Sequence, residues 1–277
     1  MRMRTLLGAG AAALTLIAAP AMAQDGEPAF DGVYVGGSFG YTVQNNDVGE
    51  RIDFDRGSNG SFGETITTAP PASADAFSPG FCNGAATSNL NTLCANDKDD
   101  IEYYGRIGFD KQMGKFVLGV VGEFGKTEIS DSVSAFSTTP AFYTMTREVD
   151  WNAALRLRAG MVAGESTLFY ATGGGAYAKI DHSFTTGNGA NSFAVIDDDM
   201  AWGWQAGGGV EQKLGRNFSI GLEYLYSRYN DDESIVRVGT GTAGATNPFV
   251  LAGGADFRRD SNRFDFHALR ATAAFRF

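Results

Sequence analysis

The chain has 277 residues, of which 43% are hydrophobic and 19% are charged, and its formal net charge is −10 at pH 7. This acidic balance argues against nucleic acid as a partner, because binding nucleic acid requires a clustered basic surface. Glycine occurs 37 times, about twice its usual share of roughly 7%, and many of these glycines lie inside segments that read as strands.

The first 23 residues follow the pattern of a secretory signal peptide. Arg2 and Arg4 form a basic start, residues 6–19 form a short apolar stretch, and Ala21-Met22-Ala23 supplies a small-x-small cleavage pattern. We therefore expect cleavage between Ala23 and Gln24, so that residues 24–277 form a single mature domain. No later apolar run is long enough for a transmembrane helix, so a membrane protein with this sequence requires a closed barrel.

Eight later segments alternate between apolar and polar residues, as tilted membrane strands do. Long polar connections follow the first, third, fifth and seventh strands, and tight turns follow the second, fourth and sixth. This alternation predicts an all-β fold, a transmembrane antiparallel up-and-down β-barrel of eight strands with long extracellular loops and short periplasmic turns. The predicted strands are 33–41, 101–109, 116–124, 151–161, 168–180, 202–214, 218–226 and 264–277, with long loops at 44–98, 130–146, 183–198 and 231–260 and tight turns at 111–115, 164–166 and 215–217.

The first long loop leaves the strand count open. Residues 51–55 and 64–67 could add a further membrane hairpin. We interpret them as a loop extension, because Asp53 and Asp55 charge the face opposite Ile52 without a continuous apolar partner.

The last predicted strand separates its apolar and polar residues by parity. Counting back in steps of two from Phe277 to Leu269 gives only apolar residues, whereas Arg270, Thr272 and Arg276 share the other face. A membrane barrel has its apolar face toward lipid and its polar face inside, the opposite of a soluble core. Aromatic residues near the strand ends are expected to form an interfacial girdle. They are Tyr41, Tyr103, Trp151, Trp202, Trp204, Tyr224 and Tyr226.

Four short motifs carry a resemblance to a known family: residues 31–37, 170–174 and 221–224, and the terminal Phe277. In their order and spacing they resemble the small outer-membrane β-barrel family of porin-like proteins, which includes opacity-type surface proteins and the barrel domain of outer membrane protein A. The resemblance implies residence in the outer membrane of a Gram-negative bacterium, among outer-membrane lipid and lipopolysaccharide. It also implies a structural or surface-interaction role, in envelope integrity or adhesion, with a host or surface ligand at the loops.

The same resemblance implies a role for the chain terminus. Phe275 and Phe277 match the terminal signal by which the barrel-assembly machinery recognises members of the family.

The two cysteines of the chain, Cys82 and Cys94, both lie in the first long loop. They lack the C-x₂-C spacing of a metal site, and an exported chain passes through an oxidising compartment. We therefore predict a disulfide that closes part of this loop.

Charged residues on the inward face of the predicted strands form the candidate functional set. An eight-stranded barrel encloses a space that side chains just fill, so these charges are expected to pair in a packed polar core. A narrow porin-like channel through a charged lumen is the alternative. The residues are Glu102, Arg106, Glu123, Arg156, Arg158, Glu211, Glu223, Arg270 and Arg276.

Enzymatic and cation-binding functions have weaker support. His182 and His267 are the two histidines, and a lipid A-modifying barrel enzyme would need one of them as a base. His182 and Ser183 would point to opposite faces of a strand, so we interpret both histidines as rim residues and predict no cofactor. The acidic runs at 97–100, 197–199 and 231–233 are interpreted as solvated rim charges. Divalent-cation bridging to anionic lipid headgroups is the alternative.

Overall fold

The computed structural model describes residues 29–44, 49–83, 94–95, 97–231 and 234–277. The predicted signal peptide, with Ala23 and Gln24, lies outside these residues. Among them, no helix is long and apolar enough to cross a membrane. The elements are β1 (Gly32–Val43), β2 (Ile52–Arg56), β3 (Gly80–Asn83), β4 (Asp100–Met113), β5 (Phe116–Thr127), β6 (Ser130–Ser137), β7 (Ala141–Ala163), β8 (Thr167–Thr186), β9 (Ser192–Ile196), β10 (Met200–Lys213), β11 (Phe218–Asn230), β12 (Ile235–Gly239), α1 (Pro248–Leu251), β13 (Ala255–Arg259) and β14 (Arg263–Arg276).

Eight of these strands close into an antiparallel barrel. The order around it is β1, β4, β5, β7, β8, β10, β11 and β14, and β14 pairs with β1 to complete the circle. At this seam Tyr34 lies beside Arg276 and Tyr41 lies beside Leu269. The predicted eight-stranded antiparallel barrel is therefore confirmed.

The two ends of the barrel differ sharply. At the end that we name the turn end, short turns join the strands, and Gly114 and Gly164 occupy two of them with φ of 62° and 65°. These left-handed values favour glycine. The opposite end, named the loop end, carries the four long connections.

The outer wall of the barrel is apolar, as the parity of the last strand predicts. Leu155 and Leu157 of β7 expose 65% and 72% of their surface, whereas Arg156 between them is fully buried. On β14, Leu269 and Phe275 face outward, and Arg270 faces the lumen. The predicted girdle aromatics lie toward the loop end of their strands, with Tyr224 at mid-strand.

The long loops contain strands of their own and one short helix. In the region predicted as the loop 130–146, β6 and the start of β7 form a hairpin that extends the barrel wall. In 183–198 and 231–260, β9, β12 and β13 form a second sheet with β2, in the order β2-β13-β12-β9. Residues 51–55 are thus outside the barrel, as interpreted, and residues 52–55 belong to β2 of the second sheet.

The second sheet packs against the extended wall and encloses an apolar core of its own. Phe257 of β13 is fully buried at its centre, with ring centroids 5.0 Å from Phe54, 5.5 Å from Phe249 and 5.9 Å from Tyr143. We name this structure the cap; it comprises β2, β3, β6, β9, β12, α1, β13 and residues 141–149 and 180–186. Because it has a buried apolar core of its own, the cap is a folded unit on the loop end.

Candidate functional site

Six charged side chains meet at the middle of the lumen. Glu123 binds Arg106 at 2.9 Å, Arg156 at 2.7 Å and Arg270 at 3.0 Å. Glu223 lies 3.2 Å from both Arg106 and Arg156, and Glu102 binds Arg270 through two hydrogen bonds. No side chain of this central network exposes more than 5% of its surface. Three arginines and three glutamates balance, so the network is neutral and crosses the lumen from β4, β5 and β7 to β11 and β14.

A second neutral set lies nearer the turn end. Asp110 binds Arg158 at 3.2 Å and Arg276 at 2.9 Å, and Arg158 also pairs with Glu211. The structure thus brings together Arg158, Glu211 and Arg276 of the sequence-predicted set. Asp110 was missed, although it lies on the same even-numbered face of β4 as Glu102 and Arg106, and extending that strand to its turn would have found it.

Above the central network, toward the loop end, apolar side chains fill much of the lumen, beside a few buried polar ones such as Thr42 and Gln205. Val149, Ile180, Tyr229 and Phe266 are fully buried there, and Phe264 exposes 1% of its surface. They form one cluster that reaches from β7 through β8, β10 and β11 to β14. The sequence predicted a polar interior throughout, so this apolar layer corrects that expectation.

A bulge in β7 changes which of its residues face inward. The register between β7 and β8 shifts between Val149 and Trp151. Residues before the shift face inward at odd positions, such as Met145 and Val149, and residues after it face inward at even positions, such as Arg156. A single parity carried along the strand therefore places the first half of β7 on the wrong face.

A third charged set, which the sequence analysis missed, lies at the loop end. Arg147 binds Asp131 at 2.7 Å and Asp231 at 3.2 Å, and its guanidinium lies 4.8 Å from the ring of Phe264 in the apolar layer. Arg259 of the cap binds Asp131 at 2.8 Å and also holds Glu50. Asp131 is therefore shared between two cap arginines. Arg147 in turn ties the cap to the barrel, through Asp231 after β11 and through a 2.6 Å hydrogen bond to the backbone carbonyl of Arg263 on β14.

The pKa values of the acids in and beside this set are shifted in different directions. Burial and the neighbouring Asp131 carboxylate raise the pKa of Asp97 to about 7, although Asp97 accepts a hydrogen bond from the backbone N–H of Ser132. Burial likewise raises the pKa of Glu50. The pKa of Asp131 is instead lowered, because Arg259 and Arg147 outweigh its burial.

The raised pKa of Asp97 predicts that the cap loosens as pH rises from 5 to 8. The folded state holds this proton up to about pH 7, whereas the unfolded chain releases it near the ordinary value of 3.8, so the free energy of unfolding falls between these values. The rate of cap proteolysis should increase over this pH range in the wild type and increase less in Asp97→Asn. The nearby exposed Asp99 supplies the control variant Asp99→Asn, which should behave like the wild type. Equal pH dependence in all three proteins would contradict the assignment to Asp97.

The structure joins Cys82 and Cys94 in a disulfide, with Cα atoms 6.0 Å apart. Cys82 belongs to β3 and is 1% exposed, so the bridge fastens the edge of the cap to the segment before β4. At the other end of the molecule, Phe275 and Phe277 face outward and expose 46% and 72% of their surface.

The histidines lie apart from each other and in different surroundings. His182 is not a solvated rim residue: its side chain is 5% exposed and lies 2.9 Å from Asp231 and 3.3 Å from Asp197. Ser183 is exposed on the other face of β8. His267 is on the outer wall, where its Nδ1 lies 2.6 Å from the hydroxyl of Tyr224. The hydroxyl of Tyr226 donates a hydrogen bond to Asp265 at 2.7 Å.

Comparison with known proteins adds a family match. The model of the family described as "Outer membrane protein beta-barrel domain" matches residues 9–277. The 31 kDa outer-membrane immunogenic proteins of Brucella melitensis biotype 1 and Brucella suis biovar 1 are each 32% identical over 111 residues. That alignment covers 40% of this chain and 46% of each relative, so the chain spans less than half the length of these curated relatives.

Two solved outer-membrane proteins are similar at low sequence identity. OprG from Pseudomonas aeruginosa aligns with a TM-score of 0.48 and 12% identity, over 90% of this chain and 99% of its own. Ail, the attachment invasion locus protein of Yersinia pestis, aligns with a TM-score of 0.34 and 10% identity, over 89% of this chain and 99% of its own.

Proposed function

This chain belongs to the outer membrane protein β-barrel domain family, and we propose that it is a closed membrane anchor for a folded surface-interaction module. The barrel stands in the outer membrane, with its loop end outside the cell and its turn end in the periplasm. The cap is the part that meets a host or surface ligand, in a role in adhesion or envelope integrity.

The observation that carries this proposal is the apolar layer of the lumen. Water and ions entering from the loop end would have to pass the buried rings of Tyr229, Phe264 and Phe266. Below this layer, the central network fills the lumen with paired charges. These pairs hold each other in place, because separating one would leave an uncompensated buried charge. A closed lumen leaves the exposed surface of the cap as the part of the molecule that can act on the surroundings.

A narrow channel is the competing function, and conductance separates the two. The refolded wild type is expected to show no steady current in a planar bilayer. The double variant Phe264→Ala, Phe266→Ala removes two rings of the apolar layer and should raise conductance. Leu269→Ala, on the outer wall of the same strand, is the matched control and should stay closed. Steady wild-type currents that the double variant does not change would overturn the closed-anchor proposal.

The surface role has its own test in cells. A deletion strain should lose adherence or become sensitive to envelope stress, and the full-length chain should restore the wild-type behaviour. A strain without either defect would contradict the proposed role, even if the lumen proves closed.

Export and assembly complete the proposal. Residues 1–23 would direct export and be removed before Gln24, leaving residues 24–277 as the barrel domain. Phe275 and Phe277 would then be read by the barrel-assembly machinery, and their exposed rings at the end of β14 support this role. Outer-membrane lipid and lipopolysaccharide would surround the apolar wall.

A further inference from the structure

Carboxylates outnumber cations where β8 leaves the barrel. Lys179 lies 3.4 Å from Asp150 and 3.8 Å from Asp199, and it also pairs with Asp181. His182 lies on β8 like Lys179, and two more acids, Asp197 and Asp231, face it. The only other cation paired with these acids among the described residues is Arg147, which Asp131 also shares. A cluster of acids alone is common on protein surfaces, so the decisive feature is the histidine.

One ring nitrogen of His182 has a hydrogen-bond partner, and the other has none among the described residues. Its Nε2 lies 2.9 Å from Asp231 Oδ1, and Asp231 is itself held by Arg147 at 3.2 Å. Its Nδ1 is buried and has no hydrogen-bond partner among the described residues, although Asp197 Oδ2 lies 3.3 Å away. Metal-binding histidines typically donate their second ring N–H to a carboxylate, which fixes the tautomer and leaves the other nitrogen to bind the metal.

The spacing of the surrounding oxygens suits a small divalent cation. One ligand atom each from His182, Asp197 and Asp199 lies within 4.8 Å of the other two. Two ligand atoms of a tetrahedral zinc ion, each about 2.0–2.1 Å from the metal, lie about 3.3 Å apart. This is the separation of His182 Nδ1 from Asp197 Oδ2. Asp199, whose side chain is 43% exposed and lies 3.8 Å from Lys179, would close the third position by turning from the lysine to the ion.

We propose that His182, Asp197 and Asp199 form a binding site for a divalent transition-metal ion of the zinc type, with Asp231 as the positioning residue of the histidine. One nitrogen and two carboxylate oxygens favour zinc over magnesium or calcium, which prefer oxygen ligands alone. A bound ion would offset the excess of carboxylates. It would also tie β8 to the segment that joins β9 to β10, and so fix the edge strand β9 of the cap sheet against β8.

The experiment uses the untagged full barrel refolded in detergent, stripped of metal and titrated with Zn²⁺ in a calorimeter. We expect one ion per chain, at least tenfold weaker binding for His182→Gln and for Asp199→Asn, and unchanged binding for Asp150→Asn. The last variant is the matched control, because Asp150 shares Lys179 with Asp199 but lies outside the three ligands. Asp199→Asn keeps the test valid if His182→Gln does not fold, since Asp199 is half-exposed and outside the buried network.

A second readout identifies the ligand atom. The chain has two histidines, so the imidazole ¹⁵N spectrum is simple, and Zn²⁺ should shift the Nδ1 signal of His182 and leave His267 unchanged. Three results would overturn the proposal: no Zn²⁺ binding by the wild type, equal loss of binding in Asp150→Asn, or full displacement of Zn²⁺ by equimolar Ca²⁺ or Mg²⁺. An unshifted His182 signal in the zinc-bound protein would do the same.

Discussion

Replacing Arg270 with methionine is expected to lower the free energy of unfolding of the barrel by about 3–5 kcal/mol, because breaking a buried ion pair leaves its partners as uncompensated charges. Arg270 is 1% exposed and makes two hydrogen bonds to Glu102 and one to Glu123. Its guanidinium also lies 4.3 Å from the ring of Tyr104. The measurement is the unfolding of the refolded barrel in detergent, by heat or by denaturant.

The matched control is Arg258→Met. Arg258 has a side chain that is 45% exposed, and it pairs with Asp53 at 3.8 Å, so its loss should cost about 0–1 kcal/mol. The double variant Arg270→Met, Glu102→Gln removes the charge that was left behind and should recover part of the lost stability. If the Arg270 and Arg258 variants unfold alike, the central network does not stabilise the barrel.

Replacing Phe257 with alanine is expected to unfold the cap while the barrel stays closed. Phe257 is fully buried and contacts six aromatic rings of the cap. A phenylalanine-to-alanine change at such a position costs about 3–5 kcal/mol. Limited proteolysis should therefore cut the variant within residues 235–259 and leave the fragments of the barrel in the membrane.

Leu251→Ala is the control in the same connection, since Leu251 is 41% exposed and its truncation should leave the cap resistant. Proteolysis of Phe257→Ala that also opens the barrel would mean that the cap and the barrel unfold as one unit.

The alternation of apolar and polar residues along each strand made the barrel predictable. A lipid-facing strand must alternate over its whole length, and its polar side chains must find partners inside, so one sequence pattern predicts both the wall and the central network. For this reason Arg106 and Glu123, both predicted to face the lumen, contact each other at 2.9 Å. Glu223 and Arg270 pair in register, with their charged atoms 3.8 Å apart.

The cap was not predictable in the same way. Its strands are five residues long in β2, β9, β12 and β13, and their partners are distant in the chain. Such strands leave little local periodicity, and their burial depends on which loops meet. Phe54 and Phe257 illustrate this, because they lie opposite each other in the β2–β13 pair although about two hundred positions separate them.

That separation also affects when in folding these contacts are expected to form. The cap contact between Glu50 and Arg259 joins residues 209 positions apart, and the barrel seam joins β1 to β14. Both junctions wait for the last hairpin of the chain, since long-range pairings form only after the intervening loop is closed. Until then Ile52 and Phe54 have no partners on β13, and an early loop of this kind exposes apolar surface. Completion of the wall and assembly of the outer sheet are therefore both expected late in folding, because each needs a strand from the end of the chain.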